Sequence, residues 1–139
     1  MDNNDLDLWP ADFGEISTTS PASILRKQAK ALTERTNGVL RGDVSSRSSQ
    51  GTFHHSLYVV APTLKNYKYR LLKVSHGIGF YPATIDFHDR EMNAFDEDDL
   101  IQALRTVLHS EEAKRVIQAL LSQSNDPESF TEDDDDLPF

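Results

Sequence analysis

The stretch 65-KNYKYRLLK-73 sets four cations, Lys65, Lys68, Arg70 and Lys73, around the tyrosines Tyr67 and Tyr69. Arg41, Arg47 and Tyr58 precede it on segments that also read as extended chain. Cations interleaved with flat aromatic rings fit one kind of chemistry. Ammonium and guanidinium groups neutralise phosphates, and aromatic faces stack on unpaired bases, which together meet the needs of a single-stranded nucleic acid. The expected DNA-binding set is Arg41, Arg47, Tyr58, Lys65, Tyr67, Lys68, Tyr69, Arg70 and Lys73. An ordinary exposed strand whose tyrosines pack on a core has the same residue types, so the surroundings decide between the two.

The surroundings are strongly segregated by charge. The 139-residue chain has a net charge of −9, yet residues 21–85 hold ten bases against two acids, Glu34 and Asp43. Residues 1–20 hold five acids and no base, and residues 86–139 hold sixteen acids against four bases. No acid occurs from Val44 to Ile85. A one-sided basic segment of this kind predicts an electropositive surface, whose usual partner is a phosphate backbone.

The other distinctive stretch is 133-DDDDLPF-139. A solvated acidic tail needs no hydrophobic tip, and a buried terminus would not tolerate consecutive carboxylates, so the combination suggests a segment read by another protein. These residues resemble the C-terminal tip of bacterial single-stranded DNA-binding proteins, which ends in several aspartates followed by Ile or Leu, Pro and Phe. The resemblance implies a docking role toward genome-maintenance partners such as helicases, nucleases, primosome components and clamp-loader subunits. Phe139 would fill the pocket with its α-carboxylate on a basic side chain, Leu137 would add apolar contact, and Pro138 would set the turn. Asp133, Asp134, Asp135 and Asp136 would face the basic rim. The resemblance covers these seven residues alone. Members of that family carry a five-stranded oligonucleotide-binding barrel, whereas this chain offers four candidate strands between helices. A sheet packed on helices can also hold single strands, as in the Whirly and transcriptional-coactivator layout.

Other chemistry finds little support in the sequence. There is no cysteine, so disulfides and thiolate metal sites are excluded. His54 and His55 alternate faces on a strand and cannot share one metal ion. Asp12-Phe13-Gly14-Glu15 lacks the companions of a kinase signature, Gly77-Ile78-Gly79 opens no helix, and no serine sits in a nucleophile elbow. The expectation is a non-enzymatic protein with no cofactor and no metal. The N-terminus lacks a signal-peptide pattern and no apolar run spans a membrane, which predicts a soluble, cytoplasmic chain without a membrane partner.

These residues need a scaffold, and the hydrophobic pattern predicts one α+β domain over residues 21–122. A disordered acidic arm precedes it at 1–20, and a disordered acidic tail follows at 123–139. Ser20-Pro21 starts a helix that Ile24, Leu25, Ala29 and Leu32 make amphipathic and Asn37-Gly38 stops. Four strands follow, at about 39–46, 52–61, 67–75 and 83–88, in an antiparallel meander. Leu71-Leu72 leaves the third strand unphased. Either Lys68 and Arg70, or Tyr67, Tyr69 and Lys73, share its open face. Asp96 and Ser110 cap two C-terminal helices whose apolar stripes run through Leu100–Leu108 and Ala113–Leu121.

The function expected from these parts is single-stranded DNA binding on a basic sheet, with recruitment of replication, recombination or repair enzymes through the tip. Homo-oligomers would multiply weak sites. The alternatives are a protein-binding adaptor that mimics the tip without touching DNA, or an acidic immunity- or antitoxin-like inhibitor.

Overall fold

Proline at a first helical turn and serine before it give helix α1 (Pro21–Arg35) its start, because Ser20 Oγ accepts the Ser23 N–H at 3.1 Å. The computed structural model describes residues 6–16 and 19–126. After α1 come strands β1 (Arg41–Ser49), β2 (Thr52–Ala61), β3 (Tyr67–His76), β4 (Ala83–Phe87) and β5 (Arg90–Ala94). Helices α2 (Glu97–Leu108) and α3 (Glu111–Ser124) close the domain. Asp96 Oδ1 accepts the Asp99 N–H at 2.8 Å and Ser110 Oγ the Ala113 N–H at 3.1 Å, so both expected caps are in place.

The strands form one antiparallel sheet in the order β1-β2-β3-β4-β5, with β1 and β5 at its edges. The sheet is an open meander and not a closed barrel. Among the described residues it has five strands where the sequence predicts four. The missed strand, Arg90-Glu-Met-Asn-Ala, turns only Met92 and Ala94 toward the core, too few apolar residues to stand out. It follows β4 after the short turn His88-Asp89, in which His88 has φ 53°.

The first strand also begins later and runs further than expected. Val39 and Leu40 belong to a turn held by Thr36, whose Oγ accepts the Leu40 N–H at 3.1 Å. Ser46–Ser49 continue β1 because they pair with Thr52–His55, and Gln50-Gly51, both at positive φ, make the two-residue hairpin turn. Similarly, α3 extends to Ser124, which is buried, so the helix runs past the predicted start of the tail at 123.

Helices α1, α2 and α3 all pack on one face of the sheet. Leu57 and Val59 of β2, Leu72 and Val74 of β3 and Ile85 of β4 meet Leu25 of α1, Leu100, Leu104 and Val107 of α2, and Leu120 of α3. Helix α1 comes closest at Gly42, where a Cβ would collide with the Ala29 backbone. Apart from Val60, the buried apolar side chains of the sheet thus sit on this side, and among the described residues no helix covers the opposite face.

Candidate nucleic-acid interface

Strand pairing settles which side chains share the helix-free face. Leu57 stands opposite Leu72, but the next residue, Tyr58, stands opposite Arg70, so Leu71 is the extra residue of a β-bulge. Both leucines therefore turn toward the helices, and both are buried there. On either side of the bulge the alternation resumes with its phase reset. Lys68 and Arg70 before it, and Lys73 after it, all lie on the open face. The two alternatives left by the sequence each contained part of the answer.

Register carries the neighbours along. Arg41, Asp43 and Arg47 of β1 pair with Val60, Tyr58 and His54 of β2. Lys73 pairs with Asp86, which pairs with Glu91 on β5. The open face thus gathers Arg41, Arg47, Lys68, Arg70 and Lys73, together with Tyr58, His54 and three carboxylates. Two of the cations are tied down. Lys68 Nζ lies 3.5 Å from Asp43 Oδ2 and 4.5 Å from the centroid of the Tyr58 ring, a cation–π contact. Lys73 Nζ lies 3.9 Å from Asp86 Oδ2. Both pairs are partly exposed and hold their partners weakly. Arg41, Arg47 and Arg70 are exposed and have no ion pair within the described residues.

The face leaves an electrostatic mark on His54. Desolvation, then the Arg47 and Lys73 charges, push its imidazole below the ordinary 6.5, against an opposing pull from Asp86. Its Nδ1 is 2.9 Å from Ser75 Oγ on the next strand. Val60, also on this face, is only 2% exposed; it lies in register between Arg41 and Lys68, whose aliphatic stems can cover it.

Two of the predicted stacking residues are elsewhere. Tyr69 pairs with Val59 and Tyr67 with Ala61, which places both on the helix side of the sheet. They line a cavity of about 320 Å³ with Leu64, Val116 and Leu120. Of the three tyrosines, the structure brings only Tyr58 to the cations. Lys65 occupies the left-handed turn before β3, with φ 58°, at the end of the sheet. Asp133–Phe139 lie outside the described residues.

Sequence reasoning missed a buried histidine pair on the helix side. His55 Nε2 and His76 Nε2 are 2.9 Å apart, and both residues are less than 9% exposed. The Gly77 carbonyl can only accept, so His76 Nδ1, at 2.6 Å, carries a proton. One proton lies between the two Nε2 atoms, and His55 Nδ1 is hydrogen-bonded to the Ser46 hydroxyl at 2.7 Å. Burial, then the proximity of His76, Arg26 and His54, holds His55 below its ordinary 6.5. The signal was out of reach because His55 and His76 meet only once β2 and β3 are in register.

Among the described residues no group of three or more His, Asp or Glu is placed to hold a metal ion, and no helix is long and apolar enough to cross a membrane. Compared with protein-family models, curated proteins and solved structures, the chain matches none. The chemistry of the open face is therefore the basis for a functional reading.

Proposed function

We propose that the open face of the sheet binds single-stranded DNA, chiefly through its phosphates, and that Asp133–Phe139 docks a genome-maintenance enzyme beside it. The observation that carries the first half is the bulge at Leu71. It gathers Lys68, Arg70 and Lys73 on the face that already holds Arg41 and Arg47. Five cations around a single tyrosine favour backbone contacts over base readout, so binding is sequence-tolerant and salt-sensitive. The second half rests on the identity and order of the residues in DDDDLPF.

A protein-binding adaptor is the second reading. It draws on Asp43, Asp86 and Glu91, which dilute the positive charge of the same face. A pair of variants separates the two. Replacing Lys68, Arg70 and Lys73 with alanine reduces affinity for an oligo-dT strand by tenfold or more if the face holds DNA, and leaves it unchanged in an adaptor. Phe139→Ala leaves oligonucleotide binding intact and abolishes capture of a helicase that recognises such tips; full capture by that variant would refute the docking role.

A further inference from the structure

β1 is an edge strand of nine residues with no proline and no lysine, and its three charges are Arg41, Asp43 and Arg47. Native sheets protect long edges with prolines, lysines, bulges or covering segments, because an open row of N–H and C=O groups recruits another strand. Among the described residues the cover ends early. Thr33 Oγ on α1 accepts the Gly42 N–H at 3.0 Å, and beyond Asp43 and Val44 the strand is exposed from Ser45 onward.

That bond also fixes which backbone groups point outward. Gly42 N–H faces away from β2, so the even-numbered residues 42, 44, 46 and 48 present their N–H and C=O groups to the open edge. Two copies of β1 can therefore pair antiparallel only in registers that set even residues opposite even residues. These registers differ in the charges they bring face to face. Pairing centred on Val44 sets Arg41 opposite Arg47 twice, and centring on Asp43 or Arg47 sets that residue against itself. Centring on Ser46 pairs no charges. Centring on Ser45 sets Asp43 opposite Arg47 of the second copy, and Arg47 opposite Asp43 of the second copy, on the same open face. Directly opposite charges stabilise a strand pair and like charges destabilise it.

We propose that β1 pairs with β1 of a second copy about a twofold axis at Ser45. Val44 and Ser46 exchange both backbone hydrogen bonds across the axis, and Ser48 N–H reaches the Gly42 carbonyl that Thr33 leaves free. The contact is isologous and closes on itself, which limits assembly to a dimer. It makes one ten-stranded sheet from two five-stranded ones. The inference does not rest on the DNA-binding reading, but if both hold, the two basic faces become continuous and a longer strand can bridge them.

Sedimentation of the full chain at low salt, without nucleic acid and up to about 200 µM, tests the proposal. The wild type shifts from monomer to dimer with concentration. Arg47→Asp and Asp43→Arg each weaken association by about tenfold or more, and the double swap D43R/R47D recovers it. In the wild type, the Val44, Ser46 and Ser48 amides gain hydrogen-exchange protection as concentration rises. A monomer throughout, a dimer indifferent to single reversals, a double swap that recovers nothing, or unchanged exchange at these three amides overturns the proposal.

Discussion

His54 sits among the cations of the open face and is held below its ordinary 6.5 by desolvation and by Arg47 and Lys73. A bound phosphate would offset those two charges, so the imidazole should become easier to protonate. Following His54 by NMR titration with and without an oligo-dT strand, we expect its pKa to rise on binding; no change would place the ligand elsewhere. His55 supplies a different pH dependence, in stability. Its folded pKa is depressed, so the unfolded chain binds the proton more tightly than the folded one does. The contribution is complete above 6.5 and is lost as pH falls from there toward the folded value. Thermal unfolding between pH 7.5 and pH 5 should show a falling midpoint, by an amount that shrinks in His55→Phe. An equal fall in the variant would assign the effect to other groups.

At the scale of elements, the sheet is shaped by two local devices. One is the bulge, which lets Leu71 and Leu72 both reach the core without sending Lys73 there. The other is Gly42, which lets α1 lie directly on β1. Gly42→Ala should cost about 1–3 kcal/mol by forcing α1 off the sheet, seen as a lower denaturation midpoint. An unchanged midpoint would mean that the helix yields without strain. These devices also mark the limit of what the sequence revealed. The helices were legible from their caps and stripes, because Ser20, Asp96 and Ser110 act locally. Strands β2, β3 and β4 were legible from alternation and from the turns between them. β5 and the outer half of β1 were not, since edge strands bury little and are stabilised by a partner, which is a non-local fact. The same holds for the site. Five of the six expected cations share the open face and Lys65 sits in the turn at its end, but the face each occupies depends on a bulge that only pairing reveals. Tyr67 and Tyr69 read as stacking residues because they sit beside cations in sequence; the pleat sends them to the opposite side.

For the molecule as a whole, charge is partitioned between a basic sheet face and acidic flanks. Lys68 and Lys73 already hold carboxylates from the sheet itself, and the arginines Arg41, Arg47 and Arg70 carry no such partner among the described residues. On the proposed reading, a polyanion would displace weak pairs at the lysines and meet guanidinium groups with no ion pair among the described residues at the arginines. Along the N-terminal arm, Leu8, Trp9, Phe13 and Ile16 are each at least 75% exposed, and the arm joins the domain where Thr19 N–H reaches Glu97 Oε1 at 3.3 Å. The arm therefore adds acidic and apolar surface beside the domain without burying its large side chains. The central claim is that the helix-free face is a phosphate-binding surface, and a salt series of oligo-dT binding to the full chain tests it most directly. Neutralising three to five phosphates predicts that log affinity falls with log salt at a slope of about −2 to about −3.5. Absence of binding at low salt, or affinity that does not change with salt, would contradict it.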